Sequence, residues 1–327
     1  MESKSLVNQL KLAYSPLSNY DFSILKGDRD IQNALQNSSL YIIAQRPVLS
    51  FENIRINKVE GQLEFEIHQQ DNNAILKCKL PIFQENLVNN SDRSHVYYFG
   101  SHDPQFIFDE NNVSNVHGIK IYKSSIEPEN FIIWFSPEKF LFNYLNGHFS
   151  CFIDGDVSLL LKYNVHYVGQ STDQDIWKRL TGHEKLQQIL SVEYPFVYGT
   201  LPTHEIALLL FEFSDNISFQ TFDGDAIYDD FMKSFSGEYD VDQRAIYLDA
   251  EKALVKAMTP KHNKILFKNY PKSTDGLHKY KLSSYSYSFM DPITFKYGND
   301  EIRGGLNEFG GDIIFIDSDS NFTLNKA

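Results

Sequence analysis

The stretch VHYVGQSTDQDIWKRLTGHEKLQQIL, residues 165–190, decides the fold class predicted for this 327-residue chain. Its first residues are mostly apolar or aromatic, which predicts a strand over Val165–Gly169. A helix is predicted to follow from about Asp173 to Leu190, with Ser171 or Thr172 as its N-cap. A strand that leads directly into a helix indicates mixed α/β structure in this part of the chain.

The same mixed pattern continues to about residue 272. The apolar run Ile206–Phe211 suits a strand buried on both faces, although a helical segment also fits it. A helix is predicted from about Val241 to Met258, because its apolar residues recur at helical spacing and Pro260 ends it. The other elements predicted here are strands at Phe149–Ile153 and Val157–Leu161 and a short helix at Ala226–Ser234.

The segments on either side are rich in short strands separated by turn residues. A short helix is predicted from Pro137 to Leu145, with Ser136 as its N-cap. We therefore predict an α+β fold with a β-rich accessory domain at 1–148, a small α/β domain at 149–272 and a β-rich extension at 273–327. The strands predicted outside the centre are 40–45, 51–58, 62–68, 74–80, 96–99, 119–122, 131–135, 285–289, 293–297 and 312–316.

The composition of the chain excludes several classes of protein. The chain has 30 basic and 43 acidic residues, a net charge of −13, so any nucleic-acid contact must be a local patch on an acidic body. Two cysteines, Cys78 and Cys151, exclude a disulfide framework and a zinc module made of several cysteines. They fit a reducing cytosol. No apolar run approaches the roughly 20 residues that span a bilayer, and the N-terminus does not have the pattern of a signal peptide. We expect a cytoplasmic protein without membrane contact.

An ordered set of residues carries the functional prediction. Tyr167-Val-Gly-Gln-Ser171 is followed by Arg179 and His183, which are four apart and so share a face of the predicted helix. Much later, Glu251 opens the string EKALVKAMTPKHN, which ends at Asn263. In this order the residues resemble the GIY-YIG nuclease superfamily over about 150–272. The resemblance implies a three-stranded antiparallel sheet with flanking helices, one divalent metal ion, and hydrolysis of phosphodiester bonds that leaves 5′-phosphate ends.

The resemblance assigns catalytic positions to Tyr167, Arg179, His183, Glu251 and Asn263. Glu251 is an oxygen ligand suited to one Mg²⁺ or Mn²⁺, which would lower the pKa of bound water and polarise the phosphate. The planar guanidinium of Arg179 can bind two phosphate oxygens at once. Asn263 is expected either to hydrogen-bond a tyrosine hydroxyl or to fix the loop.

The identity of the general base is left open by the sequence. Tyr167 or His166 could orient or deprotonate the water, but successive strand residues point to opposite faces, and the resemblance favours Tyr167. The family's first motif, Gly-Ile-Tyr, has no match on the strand before Tyr167. Cys151-Phe-Ile153 is a positional substitute without a hydroxyl, so Tyr163 and His166 are the nearest groups that can transfer a proton.

A local reversal of charge supports a polyanionic partner. Between Glu251 and Lys272 there are six lysines and one acid, a local net charge of +5. We expect these lysines to contact the phosphates of DNA, with RNA not excluded, and such contacts position a nucleic acid without reading its sequence. The lysines are Lys252, Lys256, Lys261, Lys264, Lys268 and Lys272.

The sequence thus predicts a Mg²⁺-dependent DNA endonuclease, a kind of enzyme that serves in restriction or phage defence among other roles. With one site per chain, cutting both strands favours a homodimer. Two other readings stay open: a nucleic-acid-binding module that has lost catalysis, and an interaction protein that assembles through its aromatic strands. In the simplest alternative, Tyr167 is a core aromatic and Arg179 pairs with Asp175 on its own helix.

Overall fold

The computed structural model describes residues 3–70, 72–89, 93–99, 113–182, 184–193, 204–221, 241–305 and 311–327. The structure is mostly β, with 41% strand and 24% helix. Its main element is a curled mixed sheet in which nine strands lie side by side and a tenth, very short strand pairs with one of them. The predicted fold class, with a small central α/β domain around a three-stranded sheet, is therefore wrong: the two long strands of the central region are part of this large sheet.

The strands divide among three sheets. The main sheet has the order β15-β14-β11-β3-β12-β1-β13-β16-β17, with the short β2 paired to β12. A second sheet has the order β10-β6-β5-β4, and a third has the order β7-β8-β9. The strands are β1 (Ser3–Leu12), β2 (Leu17–Ser18), β3 (Leu40–Pro47), β4 (Leu49–Asn57), β5 (Gln62–Gln69), β6 (Ile75–Pro81), β7 (Ser94–Phe99), β8 (Gly118–Lys123), β9 (Phe131–Phe135), β10 (Phe152–Asp154), β11 (Lys162–Gln170), β12 (His204–Thr221), β13 (Ser284–Phe289), β14 (Thr294–Tyr297), β15 (Asp300–Arg303), β16 (Ile313–Asp317) and β17 (Phe322–Asn325).

The main sheet joins distant parts of the chain. β3 lies between β11 and β12 and is antiparallel to both. β1 is antiparallel to β12 and parallel to β13, and β11 is parallel to β14, which makes the sheet mixed. Each of the three predicted segments contributes strands to this one sheet, so the predicted domain boundaries do not coincide with boundaries between sheets. The domain division remains a prediction.

Helices cover both faces of the main sheet, because successive residues of its central strands are apolar and point to opposite faces. On β3, Tyr41 and Ile43 pack in a core that includes residues of α1, α2, α4 and α5, whereas Leu40 and Ile42 pack in a core that includes α6. The helices are α1 (Asn19–Leu25), α2 (Arg29–Leu35), α3 (Pro137–Leu145), α4 (Ile176–Thr181), α5 (Glu184–Val192) and α6 (Gln243–Met258). Among the described residues, no helix is long and apolar enough to cross a membrane.

The segment 49–161 separates β3 from β11 in the chain and has its own core. That core lies between the second and third sheets and α3, and its centre is a group of phenylalanines with ring centroids about 5 to 5.5 Å apart, mostly edge to face. A buried ion cluster ties the segment to the main sheet. Arg46 on β3 bonds Glu138 on α3, and the same guanidinium lies 2.5 Å from Glu205 on β12.

Most strands and the two best-defined helices were predictable from local pattern. The helix at Pro137–Leu145 with its Ser136 cap and the helix ending at Met258 are confirmed. The predicted strand Val157–Leu161 is instead a 3₁₀ turn, and the helix predicted over Asp173–Leu190 is two helices that are capped by Asp175 at the start and interrupted near Gly182. The short helix predicted at Ala226–Ser234 lies outside the described residues.

Candidate active site

Two tyrosines come together where β3 and β11 pair. Tyr41 lies directly opposite Gly169, and Tyr167 lies opposite Ile43, so both phenol rings stand on the same face of the sheet. Their ring centroids are 6.0 Å apart. A Cβ atom on Gly169 would lie 2.6 Å from both the Tyr41 Oη and a Tyr167 ring carbon. Only glycine therefore leaves room for the two rings to approach over the strand.

The side chain of Arg179 reaches this tyrosine pair from α4. Asp175 caps the helix by accepting hydrogen bonds from the backbone N–H groups of Trp177 (2.9 Å) and Lys178 (3.2 Å). The alternative pairing of Arg179 with Asp175 is thus not formed. Instead the Arg179 Nε donates to the Tyr41 Oη at 3.3 Å, and its guanidinium also interacts with Tyr167. Arg179 as a whole is partly exposed to solvent.

Glu251 approaches the same group from α6. It is only partly exposed, and among the described residues its carboxylate has no hydrogen-bond or ion-pair partner. Burial raises the pKa of Glu251 to about 7, against the positive charges of Lys252 and Arg179, which lower it. The Glu251 charge in turn raises the pKa of Tyr167, although burial of that phenol is the larger cause. The carboxylate is thus close enough to interact electrostatically with both Tyr167 and Arg179.

Asn263 fixes the strand rather than a hydroxyl. Its side-chain amide donates to the Val168 carbonyl at 2.8 Å and accepts from the Val168 N–H at 3.0 Å. β14 pairs with β11 only over Lys162–Asn164, so the amide takes the place of a neighbouring strand farther along β11. The Asn263 amide thus joins the turn after α6 to β11 at Val168, between Tyr167 and Gly169, and its part in catalysis stays a prediction.

The two other proposed bases lie apart from the tyrosine pair. His166 is the extra residue of a β-bulge in β11, and its ring Nε2 lies 3.1 Å from the Gln45 Oε1. Tyr163 is fully buried beneath the guanidinium of Arg46, and its hydroxyl has no hydrogen-bond partner in the described structure. Its pKa is raised by burial, so this hydroxyl is badly placed to exchange a proton with water. His183 lies outside the described residues.

The substitute suggested for the family's first motif lies elsewhere in the structure. Phe152 is on β10, where it pairs with Lys79 of the second sheet. The strand that pairs with the Tyr167 strand is β3, and it carries Tyr41, 126 positions earlier in the sequence. Sequence reasoning missed Tyr41 because it considered only the residues just before Tyr167. The available signal was the apolar-Tyr-apolar triplet Leu40-Tyr-Ile42 inside a predicted strand.

The lysines predicted to bind nucleic acid fall into two groups. Lys252 is buried and bonds Asp275 at 2.7 Å, and Lys261 bonds Glu193 at 2.5 Å. Lys256 is half-buried and donates to the Lys268 carbonyl at 3.0 Å. The lysines that extend freely into solvent, beside a cavity of about 460 Å³ that Lys252 also lines, are Lys264, Lys268 and Lys272.

Comparisons with protein-family models, with curated proteins and with solved structures each gave no match. The resemblance to GIY-YIG nucleases therefore rests on the ordered residues of this sequence alone and stays a prediction.

Proposed function

We propose that this protein is a Mg²⁺- or Mn²⁺-dependent endonuclease that hydrolyses DNA phosphodiester bonds. One observation carries the proposal: two tyrosines on paired strands and an arginine from the following helix form a connected polar group, and the nearby Glu251 carboxylate has no hydrogen-bond or ion-pair partner among the described residues. Tyr41 supplies the hydroxyl that was missing from the sequence pattern. The same arrangement supports the resemblance, since Tyr41, Tyr167 and Arg179 are in contact and the charge of Glu251 acts on both Tyr167 and Arg179.

Glu251 fits a divalent cation. This half-buried carboxylate has no hydrogen-bond or ion-pair partner among the described residues, and burial raises its pKa despite the charges of Lys252 and Arg179, so a hard cation would stabilise its ionised form. When bound, Mg²⁺ would polarise the phosphate and lower the pKa of a coordinated water. Glu251 would hold the ion on the α6 side of the tyrosine pair.

The chain's own residues would do the remaining work. Arg179 would bind two oxygens of the scissile phosphate, and in doing so it would exchange its contact with Tyr41 for contacts with the substrate. The freed Tyr41 hydroxyl would then accept a hydrogen bond from the attacking water and orient it for attack. Tyr167 would keep the Tyr41 ring in place, and Asn263 would keep the strand that carries Tyr167 in register.

The exposed lysines favour a nucleic-acid substrate whose backbone passes beside α6. Lys264, Lys268 and Lys272 would hold phosphates on one side of the site, which gives a salt-dependent affinity. The same proposal has four further parts: the substrate is DNA, the enzyme acts as a homodimer, it serves in restriction or phage defence, and it is cytoplasmic. The resemblance supports the choice of DNA and the biological role, the single site per chain supports the homodimer, and the composition supports the location.

A cleavage assay tests the proposal. Purified protein is incubated with end-labelled single-stranded and double-stranded DNA and RNA, with Mg²⁺ or with EDTA. We expect Mg²⁺-dependent cutting that Arg179→Ala and Glu251→Ala abolish. Arg303→Ala is the matched control, because Arg303 is an exposed arginine on β15 whose side chain, within the described part of the chain, pairs with a neighbouring surface acid, Glu301. Cutting that survives both site variants would show that the active site is elsewhere.

A second function is favoured by the burial of Tyr41. Its side chain has no exposed surface: it packs in the core shared with α1, α2, α4 and α5, and Arg179 and Tyr167 also interact with it. If the group does not open, the same surface would bind nucleic acid without cutting it. Salt-dependent binding that the exposed lysines control, with no cleavage of any substrate, would support this binding module over the enzyme.

A further inference from the structure

Three side chains that can bind a metal ion lie close together at the β-bulge of β11, apart from the tyrosine pair. His166 and His262 each offer a ring nitrogen and Glu193 offers a carboxylate oxygen, and these three atoms all lie within 4.8 Å of one another. His166 and the side chain of His262 are about 9% and 8% exposed, and the side chain of Glu193 is 15% exposed. The cluster is thus largely withdrawn from water but still reachable by a small ion.

Each ligand is placed by a separate feature of the backbone. The β-bulge between Val165 and Tyr167 turns His166 out of the regular alternation of the strand. His262 lies in the turn after α6, and its backbone N–H donates to the His166 carbonyl at 3.1 Å. Glu193 follows α5, and its backbone carbonyl accepts from the side-chain amide of Gln45 at 2.5 Å. The oxygen of the same amide lies 3.1 Å from the His166 Nε2, so Gln45 fixes the orientation of that ring.

We propose that His166, Glu193 and His262 bind one Zn²⁺, with water in the fourth position. Two imidazoles and one carboxylate are a common ligand set for zinc, and imidazole nitrogens select Zn²⁺ over Mg²⁺ and Ca²⁺. In a tetrahedral site with bonds of about 2.0–2.2 Å, ligand atoms lie about 3.3–3.5 Å apart. The three ligand atoms of the cluster would therefore have to approach one another by about 1 Å when the ion binds.

The zinc competes with an existing contact. The Lys261 Nζ lies 2.5 Å from the Glu193 carboxylate, and the His262 Nε2 lies 2.9 Å from the same oxygen. The Lys261 side chain is 65% exposed, so it can swing into solvent when a cation takes its place. In the metal-free state Lys261 and His262 thus share one oxygen of the Glu193 carboxylate, and the metal-bound state would release the lysine.

The consequence is a brace behind the candidate active site. A bound zinc would join β11, the end of α5 and the turn after α6. That turn also carries Asn263, which holds Val168 beside Tyr167. The zinc would stabilise this junction and takes no part in the proposed hydrolysis, so the inference does not depend on the nuclease proposal.

Metal titration of the full-length protein tests it. The protein is stripped with a chelator, and Zn²⁺ binding is measured by isothermal titration calorimetry and by the visible spectrum of Co²⁺. We expect one Zn²⁺ per chain, a tetrahedral Co²⁺ spectrum and a higher Tm with zinc. His262→Gln and Glu193→Gln are expected to lower the affinity at least 100-fold. His278→Gln is the matched control, because His278 is exposed in the 3₁₀ turn 277–280.

Two further variants keep the result clear. Lys261→Ala removes the competing cation without removing a ligand, so it should raise the Zn²⁺ affinity several-fold in a folded protein. Glu251→Gln should abolish cleavage yet bind zinc like the wild type, which separates this site from the proposed catalytic metal. Zinc affinity that is unchanged in His262→Gln and in Lys261→Ala, or an octahedral Co²⁺ spectrum, would overturn the proposal.

Discussion

Replacing Tyr41 by phenylalanine separates the two readings of the tyrosine pair. The substitution removes one hydroxyl and keeps the ring that packs over Gly169. In the folded protein it deletes the acceptor for the Arg179 Nε, a 3.3 Å hydrogen bond, so the expected loss of stability is only about 0.5–1.5 kcal/mol. If the hydroxyl orients the attacking water, the rate of cleavage should fall about 10²- to 10⁴-fold, which corresponds to about 3–5 kcal/mol of barrier.

Tyr163→Phe is the matched control for this experiment. Tyr163 is likewise fully buried and lies on the adjacent strand β11, but its hydroxyl has no hydrogen-bond partner among the described residues. Removing a buried hydroxyl without a partner avoids its desolvation cost, so the free energy of unfolding should stay within about 1 kcal/mol of the wild type or rise. Cleavage should be unchanged, although Tyr163 was one of the bases suggested by the sequence.

The assay is single-turnover cleavage of labelled DNA in Mg²⁺, with urea unfolding of each variant measured in parallel. If Tyr41→Phe folds and cuts at the wild-type rate, the Tyr41 hydroxyl has no part in the reaction. If Tyr163→Phe loses as much activity as Tyr41→Phe, the loss in Tyr41→Phe does not show a direct role of its hydroxyl either, because the Tyr163 hydroxyl is buried away from any substrate.

Three other substitutions test the packing at Gly169 and the roles of two buried carboxylates, Asp249 and Asp291. Gly169→Ala would place a methyl group 2.6 Å from the Tyr41 Oη, so we expect a loss of about 1–3 kcal/mol in urea unfolding together with a loss of cleavage; wild-type stability would show that the ring has room to move. Asp249→Ala would leave two phenols and one backbone N–H without their acceptor, and the free energy of unfolding should fall by at least about 3 kcal/mol; a fall below about 1 kcal/mol would mean that water replaces the carboxylate. Burial raises the pKa of Asp291 from 3.8 to about 6. Between these pH values the folded state therefore binds more protons than the unfolded state. The free energy of unfolding should fall by up to about 3 kcal/mol as pH rises from 4 to 6. Asp291→Asn, which can still accept from the Leu12 N–H, should remove that part of the pH dependence in urea titrations at several pH values, and an unchanged slope would contradict the assigned pKa.

Local pattern predicted single elements better than their assembly. The alternating run in β5 and the Ser136-Pro137 start of α3 are decided by neighbours in sequence, and both are confirmed. Sheet order is decided by contacts between distant residues. The local pattern of residues 3–12 does not reveal that β1 pairs with β12 and β13. The strands of the large sheet were therefore predicted to belong to separate β-rich parts around a small central domain. α1 and α2 were missed because each has only seven residues, too few to show a clear helical period.

In the candidate site, too, some residues were predictable from local sequence, whereas one depends on a contact between distant strands. Motif spacing was enough to select Tyr167, Arg179, Glu251 and Asn263, because the strand–helix unit and the string after α6 are each continuous in sequence. The contact that completes the site is the pairing of β3 with β11, which are separated in sequence by the 49–161 segment. Register places Tyr41 opposite Gly169, and register is a property of the folded sheet, set by which faces of β3 and β11 are buried.

The position of the 49–161 segment also explains how a long insertion leaves the site intact. Closing a longer loop costs free energy only logarithmically in its length, so two strands can stay paired when the chain between them is itself a folded unit. This segment has its own phenylalanine core and is tied back to the main sheet by Arg46, on the same strand as Tyr41. Such a unit adds a large surface beside β3 and β11 without disturbing the pairing of Tyr41 with Gly169. A search that allows a folded insertion between two paired strands would therefore have found Tyr41 from the triplet Leu40-Tyr-Ile42, whereas a search with fixed spacing could not.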